Sequence, residues 1–285
     1  MTNPRIGEHV KDCYERLFGG KATPSARLPI HRGRALAAHL HYPLEVLSDL
    51  PDHLWDYFLP CGNPFPHLHP GTGERILNLG SGIGIDSLAL VRSSASAIQV
   101  VNLDVVPGAL LQSGTVSSPP GNAAHAIRKS SISQVCAEGD RLPFRPGSFD
   151  WILMNGVFNL FPDKEHLLRE VQEVLTANGR LVIMDLCAAE ELPEYFSEEL
   201  DGWTWCMSGA LTPSRLTRLV EASGLTLELF RETDEADLLH PMGVVARKTR
   251  ISPSQTRNNQ ASFSSSTISM ALVGHSSAHT PQPLQ

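Results

Sequence analysis

Residues 76–88, ILNLGSGIGIDSL, constrain the chain more than any other stretch. Ile76, Leu77 and Leu79 suit a buried parallel strand. Gly80, Gly82 and Gly84 let the backbone turn sharply and approach a ligand closely, and Asp86 to Val91 can begin a helix. A strand, a tight glycine turn and a helix start in that order form the place where an α/β protein holds a nucleotide-like cofactor. The loop alone does not choose among such cofactors.

The pattern around it predicts an α/β fold with a Rossmann-like, doubly wound, mostly parallel sheet. From Gly71 onward strands and helices alternate. Strand one is Ile76 to Leu79, strand two Ile98 to Leu103 ending at Asp104, strand three near Ser131 to Ala137, and strand four Trp151 to Met154. A weak helix signal over 107–130 is broken by Ser117, Ser118, Pro119, Pro120 and Gly121, which predicts a loop there. After strand four, Asp163 can cap a helix carrying Leu167, Leu168, Val171, Val174 and Leu175 on one face, with Asn178-Gly179 as its stop. Strand five, Leu181 to Met184, then delivers Asp185 to the top of the sheet. Residues 212–223 read as a helix, 225–231 as a strand, and Val244 to Ala246 as a last, antiparallel edge strand.

Four segments follow from this pass. Residues 1–70 read as an N-terminal helical cap or lid, with helices at Glu8 to Phe18 and Gly33 to His39 and a third over Leu44 to Phe58 interrupted at Pro51. Residues 71–187 are the cofactor-binding core, and 188–250 its C-terminal part with a substrate-side loop. Residues 251–285, rich in Ser, Thr, Gln, Asn and Pro, read as a disordered tail.

Composition narrows the partners. A formal net charge of −7 over 285 residues argues against a nucleic acid held mainly through phosphates and favours a small-molecule substrate. The N-terminus lacks an apolar signal region and no stretch approaches the roughly 20 apolar residues of a membrane span, so the expectation is a cytoplasmic protein with no membrane partner. Its five cysteines are scattered, with no CxxC pair, which indicates neither a disulfide framework nor a zinc knuckle; each is by default a small buried hydrophobe. The pair His67 and His69 has no carboxylate or cysteine at ligand spacing and reads as surface histidines, so no metal is expected.

Asp104 ends strand two about 20 residues after the last glycine, where an acid accepts hydrogen bonds from a ribose diol. That spacing suits a nicotinamide dinucleotide or an adenosyl cofactor equally. The run AEGDRLPFRPGSFDWILMNGV, 137–157, separates them: an acidic turn, an LPF anchor and a Ser-Phe-Asp lead into strand four. Here the chain resembles the class I S-adenosylmethionine-dependent methyltransferases, over roughly residues 71–187. The resemblance implies S-adenosylmethionine as cofactor, with Glu138 reaching the adenine amino group, a backbone contact at Gly139, and Asn155 among the binding residues. It also exposes a departure, because the family commonly carries an acid where this chain has Asn78. That acid helps hold the cofactor's amino group, and asparagine keeps an acceptor without the charge.

A closer resemblance extends outward on HYPLEVLSDLPDHLWDYFLPCGNPF, 41–65, on 155–185 and on WTWCMSGALTPSRLTRLVEASGL, 203–225. These look like the arsenite methyltransferases. That likeness implies Cys61 in the CGNP turn and Cys206 in the WCMSGA turn as catalytic, metalloid-binding thiolates, since soft trivalent arsenic prefers sulfur to oxygen. The family's third cysteine falls on Gly156 and is missing. Two protein thiols can fill the two exchangeable positions of a monomethyl arsenical, whereas arsenite needs an external thiol, with glutathione as co-ligand. Cys13, Cys136 and Cys187 match no family thiol and read as structural.

Other readings stay open on the residues alone. A methyltransferase for a small organic thiol or secondary metabolite would use Trp203, Trp205 and Phe158 to shape an apolar pocket. A cofactor-binding regulator without catalysis is a further alternative. A nicotinamide oxidoreductase would prefer GxGxxG to the GxGxG present.

Overall fold

The computed structural model describes residues 4–19, 33–116, 130–232 and 237–249. Its frame is a seven-stranded sheet in the order β3-β2-β1-β4-β5-β7-β6. The strands are β1 (Arg75–Leu79), β2 (Gln99–Asp104), β3 (Ser131–Cys136), β4 (Phe149–Asn155), β5 (Leu175–Ala188), β6 (Leu225–Glu232) and β7 (Leu239–Lys248). Strands β1 to β5 are parallel, while β7 lies antiparallel between β5 and β6. The Rossmann-like expectation is therefore borne out, including the antiparallel edge.

Burial explains why the central strands read as continuous apolar runs. In β1 every residue after Arg75 is buried, because both faces of the sheet are covered. Alternation then sorts the side chains: Leu77 and Leu79 join a core with Leu167, Val171 and Leu216, while Ile76 joins the opposite one with Leu90, Ile98 and Trp151. A third cluster gathers Phe18, Tyr42, Leu54 and Trp55 from the N-terminal segment over Ile83, Ile85 and Leu88. That segment contributes helices α1 (Pro4–Phe18), α2 (Gly33–His39) and α3 (Asp52–Trp55).

Helix α4 (Ile85–Ser93) leaves the glycine turn, and α5 (Pro107–Val116) follows β2. The sequence predicts a loop from residue 107, but Pro107 presets the first helical turn and Ala109 and Leu110 are buried, so a helix forms. The remainder of that expected loop, 117–129, lies outside the described residues, as does the tail expected from residue 251.

Helix α6 (Lys164–Val174) is capped as its sequence predicts: the Asp163 carboxylate accepts the His166 amide at 2.9 Å. Its end is not where Asn178-Gly179 predicts. The helix stops at Val174, and fully buried Leu175 already pairs with Phe149 as the first residue of β5. The register then jumps from Phe149–Leu175 to Trp151–Arg180, and Asn178 takes φ 76° inside this irregularity. Asn-Gly satisfies a left-handed helix cap and a strand bulge equally well. Burial of Leu175 on the sheet decides for the bulge. Short helices α7 (Glu194–Glu198) and α8 (Leu200–Thr204) and the longer α9 (Pro213–Ala222) complete the order.

The order of strands places the site. Successive strands are added outward from β1 on one side and from β4 on the other, and the crevice outside the carboxyl ends of these two hydrogen-bonded neighbours is where such sheets bind ligands.

Candidate active site

A cavity of about 220 Å³ opens at that crevice, lined by Gly80, Gly82, Asp86, Asp104, Glu138 and Gly139 on the sheet side. Helix α1 supplies a facing wall through Val10, Lys11, Tyr14 and Phe18. The glycine turn is built for close approach. Gly80 has φ 70°, and a Cβ on it would run into the Val157 side chain. Gly84 lies outside the lining; a Cβ there would come within 2.6 Å of Ser113 Oγ, so it serves packing beneath the turn.

Asp104 ties the turn to the end of β2. Its Oδ2 accepts the Gly82 amide at 2.8 Å and its Oδ1 the Val106 amide at 2.9 Å. Burial pushes its pKa up, while these backbone donors hold it down. A carboxylate offers about four lone-pair sites. Two are spent on backbone, so the remainder can accept from a diol in the cavity. Glu138 lies exposed at the rim, 3.5 Å from the Lys11 ammonium, and Gly139 packs so tightly that a Cβ would meet Phe161 at 2.7 Å. These residues fit an adenosyl cofactor: an acid for the ribose, an open glycine turn and an apolar slot between Leu79 and Phe161.

Asn78 departs from its expected role. It is buried beneath the turn, donates to Ser87 Oγ at 2.9 Å and does not line the cavity. An acid that does line the cavity is Asp86 in the first turn of α4, which the sequence offers only as a helix start. Burial raises its pKa to about 6, although the Tyr42 hydroxyl donates to Oδ1 at 2.8 Å and the Asn155 carboxamide to Oδ2 at 3.1 Å.

Asn155, at the carboxyl end of β4, joins this wall to the thiols. Its Oδ1 accepts from the backbone amides of Cys61 at 3.0 Å and Gly62 at 3.3 Å, and its Nδ2 donates to the Gly62 carbonyl at 3.1 Å. The CGNP turn is thus clasped by one side chain. Cys61 Sγ, the Asp185 carboxylate and Cys206 Sγ lie within 4.8 Å of one another. Cys206 sits in the turn after α8 with φ 61°, a left-handed conformation unusual for a side-chain-bearing residue. Gly156 adjoins the same group: a Cβ built on it would be 3.4 Å from Cys61 Sγ. The position of the absent third cysteine therefore adjoins Cys61 of the pair.

Charge around the thiols is unusual. Asp185 is fully buried and burial raises its pKa, opposed by backbone donors and by the Lys164 charge. Lys164, also buried, donates to the Phe161 carbonyl at 2.9 Å, and its ammonium lies 5.3 Å from the Phe158 ring and 5.5 Å from the Trp203 ring. Burial lowers it to about 8. The thiol–thiol hydrogen bond with Cys61, then burial and the Asp185 charge, push Cys206 well up. The same bond favours ionisation of Cys61, but burial and Asp185 outweigh it and raise that thiol too.

The other cysteines separate. Cys187 is buried at the end of β5, as expected of a core residue. Cys136 is exposed, contrary to the expectation that it is structural, because β3 is the sheet edge. Cys13 is half-buried on α1. Phe158 is fully buried core and lines no cavity described, while Trp203 borders a second cavity. Lys164 and Tyr42 went unremarked in the sequence, where a lone lysine after a cap and a tyrosine before a proline carry no signal.

Comparison with known proteins accords with this geometry. Residues 70–224 match the family described as "Methyltransferase domain". An arsenite methyltransferase of Halobacterium salinarum is 26% identical over 184 residues, covering 64% of this chain and 44% of the relative. A demethylmenaquinone methyltransferase of Thermus thermophilus is 29% identical over 112 residues, covering 39% of this chain and 47% of the relative. Among solved structures, CrArsM, an arsenic(III) S-adenosylmethionine methyltransferase from Chlamydomonas reinhardtii, superposes with a TM-score of 0.59 at 23% identity, covering 74% of each chain, a likeness of fold. The chain spans about half the length of the curated arsenite methyltransferases it matches. No described helix is long and apolar enough to cross a membrane. With more than half of its residues inside the matched region, the chain belongs to the methyltransferase domain family, whose cofactor is S-adenosylmethionine.

Proposed function

We propose that this chain methylates trivalent arsenic held by the thiolates of Cys61 and Cys206. The observation that carries the reading is the convergence of these two sulfurs, from loops far apart in sequence, within 4.8 Å of each other and of Asp185. Two thiols at that spacing suit a soft, trivalent acceptor.

When bound, S-adenosylmethionine supplies an electrophilic methyl group to the arsenic lone pair. The chain's residues do the rest. Asp104 would accept from the ribose, Gly80 and Gly82 would admit the cofactor's close contacts with the backbone, and Glu138 and Gly139 would border the adenine. Asp86, which lines the cavity, would hold the cofactor's ammonium group, so the charge absent at Asn78 would be supplied from α4. Asn155 fixes the Cys61 turn against β4, and α1 covers the cavity to exclude water. No general base is needed for the methyl transfer itself, since arsenic carries no proton to lose.

Gly156 sets the acceptor preference. A monomethyl arsenical offers two exchangeable positions, which Cys61 and Cys206 fill; arsenite offers a third, filled by glutathione. The test is methyl transfer by the purified chain to arsenite and to monomethyl arsenical, with and without glutathione, beside Cys61→Ser and Cys206→Ser. Loss in both variants, with monomethyl arsenical at least as good a substrate, is the expected result. Turnover of arsenite alone would refute the preference. Indifference to both substitutions would move the activity to a small organic acceptor.

A further inference from the structure

Thiol capture of a trivalent arsenical poses a proton problem that methyl transfer does not. Such a substrate arrives as a hydroxide, and each exchange forms an As–S bond, breaks an As–OH bond and moves one proton from sulfur to the departing oxygen. An ordinary thiol, with a pKa of about 8.5, is only a few per cent ionised at neutral pH. Cys206 is buried and Cys61 half-buried, and both sulfurs lie within 4.8 Å of the Asp185 carboxylate, whose charge opposes a second anion beside it. Capture therefore needs a local proton acceptor.

We propose that Asp185 is that catalytic group: it takes the proton from the Cys61 or Cys206 thiol and hands it to the hydroxide leaving arsenic, which departs as water. The inference rests on the reading of the thiol pair given above. Its geometry is specific. The Asn159 amide donates to Asp185 Oδ2 at 3.0 Å, while the Asn159 carboxamide and the Leu186 amide donate to Oδ1 at 3.0 and 2.8 Å. Two of these donors fill Oδ1 and one lies on Oδ2, so the remaining lone-pair site of the carboxylate is on Oδ2. Cys61 Sγ lies 3.8 Å from Oδ1, and Cys206 Sγ, in the same cluster, is hydrogen-bonded to the carboxylate. A carboxylate wholly removed from water, held in one orientation by three N–H groups and facing two thiols is placed to receive their protons.

The step balances without redox. In the first exchange the thiol proton passes to Asp185, sulfur bonds arsenic, the As–OH bond breaks and Asp185 returns the proton to the hydroxide. The second thiol repeats the cycle, arsenic stays trivalent, and the carboxylate ends as it began. The charged and titratable groups facing Asp185 are Lys164 from α6, Tyr14 from α1, Cys61 from the CGNP turn and Cys206 after α8. Lys164 keeps the ionised carboxylate tolerable in this setting, and Arg215 on α9 acts on Lys164 in turn.

The experiment is stopped-flow capture of phenylarsine oxide, which takes two thiols, followed by the fluorescence of Trp203 and Trp205. The pH window runs from about 6.0 to 7.0, a unit or more below the titration of Lys164, with thiolate absorbance recorded in parallel. Wild type is expected to capture at a nearly constant rate across that window without thiolate absorbance, since the proton moves inside the site. Asp185→Asn is expected to be about 100-fold slower at neutral pH, the lower end of general-base effects, and to speed up about tenfold per pH unit as free thiolate takes over. S-adenosylhomocysteine binding reports whether the variant is folded, and the wild-type profile stands without it. A wild-type rate that itself climbs tenfold per unit, or a folded variant as fast as wild type, would overturn the role of Asp185 while leaving the thiol pair intact. Failure of wild type to capture the arsenical at all would overturn the thiol reading beneath it.

Discussion

Replacing Asp86 by Asn separates what this residue costs the empty protein from what it contributes to the loaded one. The carboxyl is raised from 3.8 to about 6 because burial penalises its charge. Below its unfolded pKa it is neutral in both states and carries no penalty; between 3.8 and about 6 the unfolded chain ionises while the folded carboxyl keeps its proton, so the cost builds, and above 6 it is complete. A shift of about two units corresponds to about 3 kcal/mol against folding at neutral pH. The variant removes that cost, which is already net of the Tyr42 and Asn155 bonds to the carboxylate, but sets a carboxamide against partners arranged for a carboxyl, at a cost of about 1 kcal/mol. An introduced carboxamide can still be satisfied: its oxygen accepts from Asn155 Nδ2, and the Tyr42 hydroxyl can turn to the Gly62 carbonyl 3.0 Å away. The balance is about 1–2 kcal/mol in favour of the variant, or a melting temperature higher by roughly 2–8 °C for a chain of this size. Cofactor affinity should move the opposite way, about 10- to 100-fold weaker for S-adenosylhomocysteine, because a hydrogen-bonded opposite charge is worth about 1.5–3 kcal/mol. The assays are thermal melts of the ligand-free protein at several pH values and calorimetric titration at neutral pH. The stability gain should fade as pH falls toward 4. A variant that melts lower than wild type at neutral pH refutes the burial argument, and a gain in stability with unchanged affinity refutes the role of Asp86 at the cofactor.

Two further substitutions probe the junction and the missing thiol. Asn155→Ala deletes both acceptor contacts to the Cys61 and Gly62 amides and should cost about 2–3 kcal/mol, with capture of phenylarsine oxide slowed more than S-adenosylhomocysteine binding is weakened; equal loss of both would mean that Asn155 acts only on the fold. Gly156→Cys puts a side chain at φ 69° with its Cβ 2.9 Å from the Leu59 carbonyl, so a loss of about 1–2 kcal/mol is expected in thermal melts. The same variant should methylate arsenite without glutathione, and continued dependence on glutathione would sink the account of Gly156.

Local signals carried the half of the site proposed for the cofactor. The glycine turn, the acid ending β2 and the LPF run each lie within a few residues of the element that positions them, so Gly80, Asp104 and Gly139 could be placed on the cavity from sequence. Readings failed where one local pattern serves two structures or where burial is set by distant chain. Asn178-Gly179 caps a helix as readily as it bulges a strand, and only the burial of Leu175 against Phe149 separates the two. Asp86 looks like an ordinary first-turn acid until Tyr42 and Asn155 arrive from other elements. Asp185 was visible as the residue at the top of strand five, but its three N–H donors and its distance to Cys61 depend on how the loop after β4 folds back. Lys164 belongs to the same class: a helix N-terminus predicts nothing about a buried ammonium.

The two halves of the site meet in Asn155, and this makes them interdependent. Its carboxamide nitrogen is shared between the Asp86 carboxylate on the cofactor wall and the Gly62 carbonyl of the thiol-bearing turn, at 3.1 Å each, with the Tyr42 hydroxyl 2.9 Å away. An amide nitrogen has two hydrogens, so these three acceptors compete for them. Ionised Asp86 draws the nitrogen toward itself and leaves the turn to be held by Oδ1 through the Cys61 and Gly62 amides. A cation bound against Asp86 weakens that pull, and the donor becomes free to tighten on Gly62. Loading the cofactor cavity would then firm the turn that carries Cys61, before any acceptor is present.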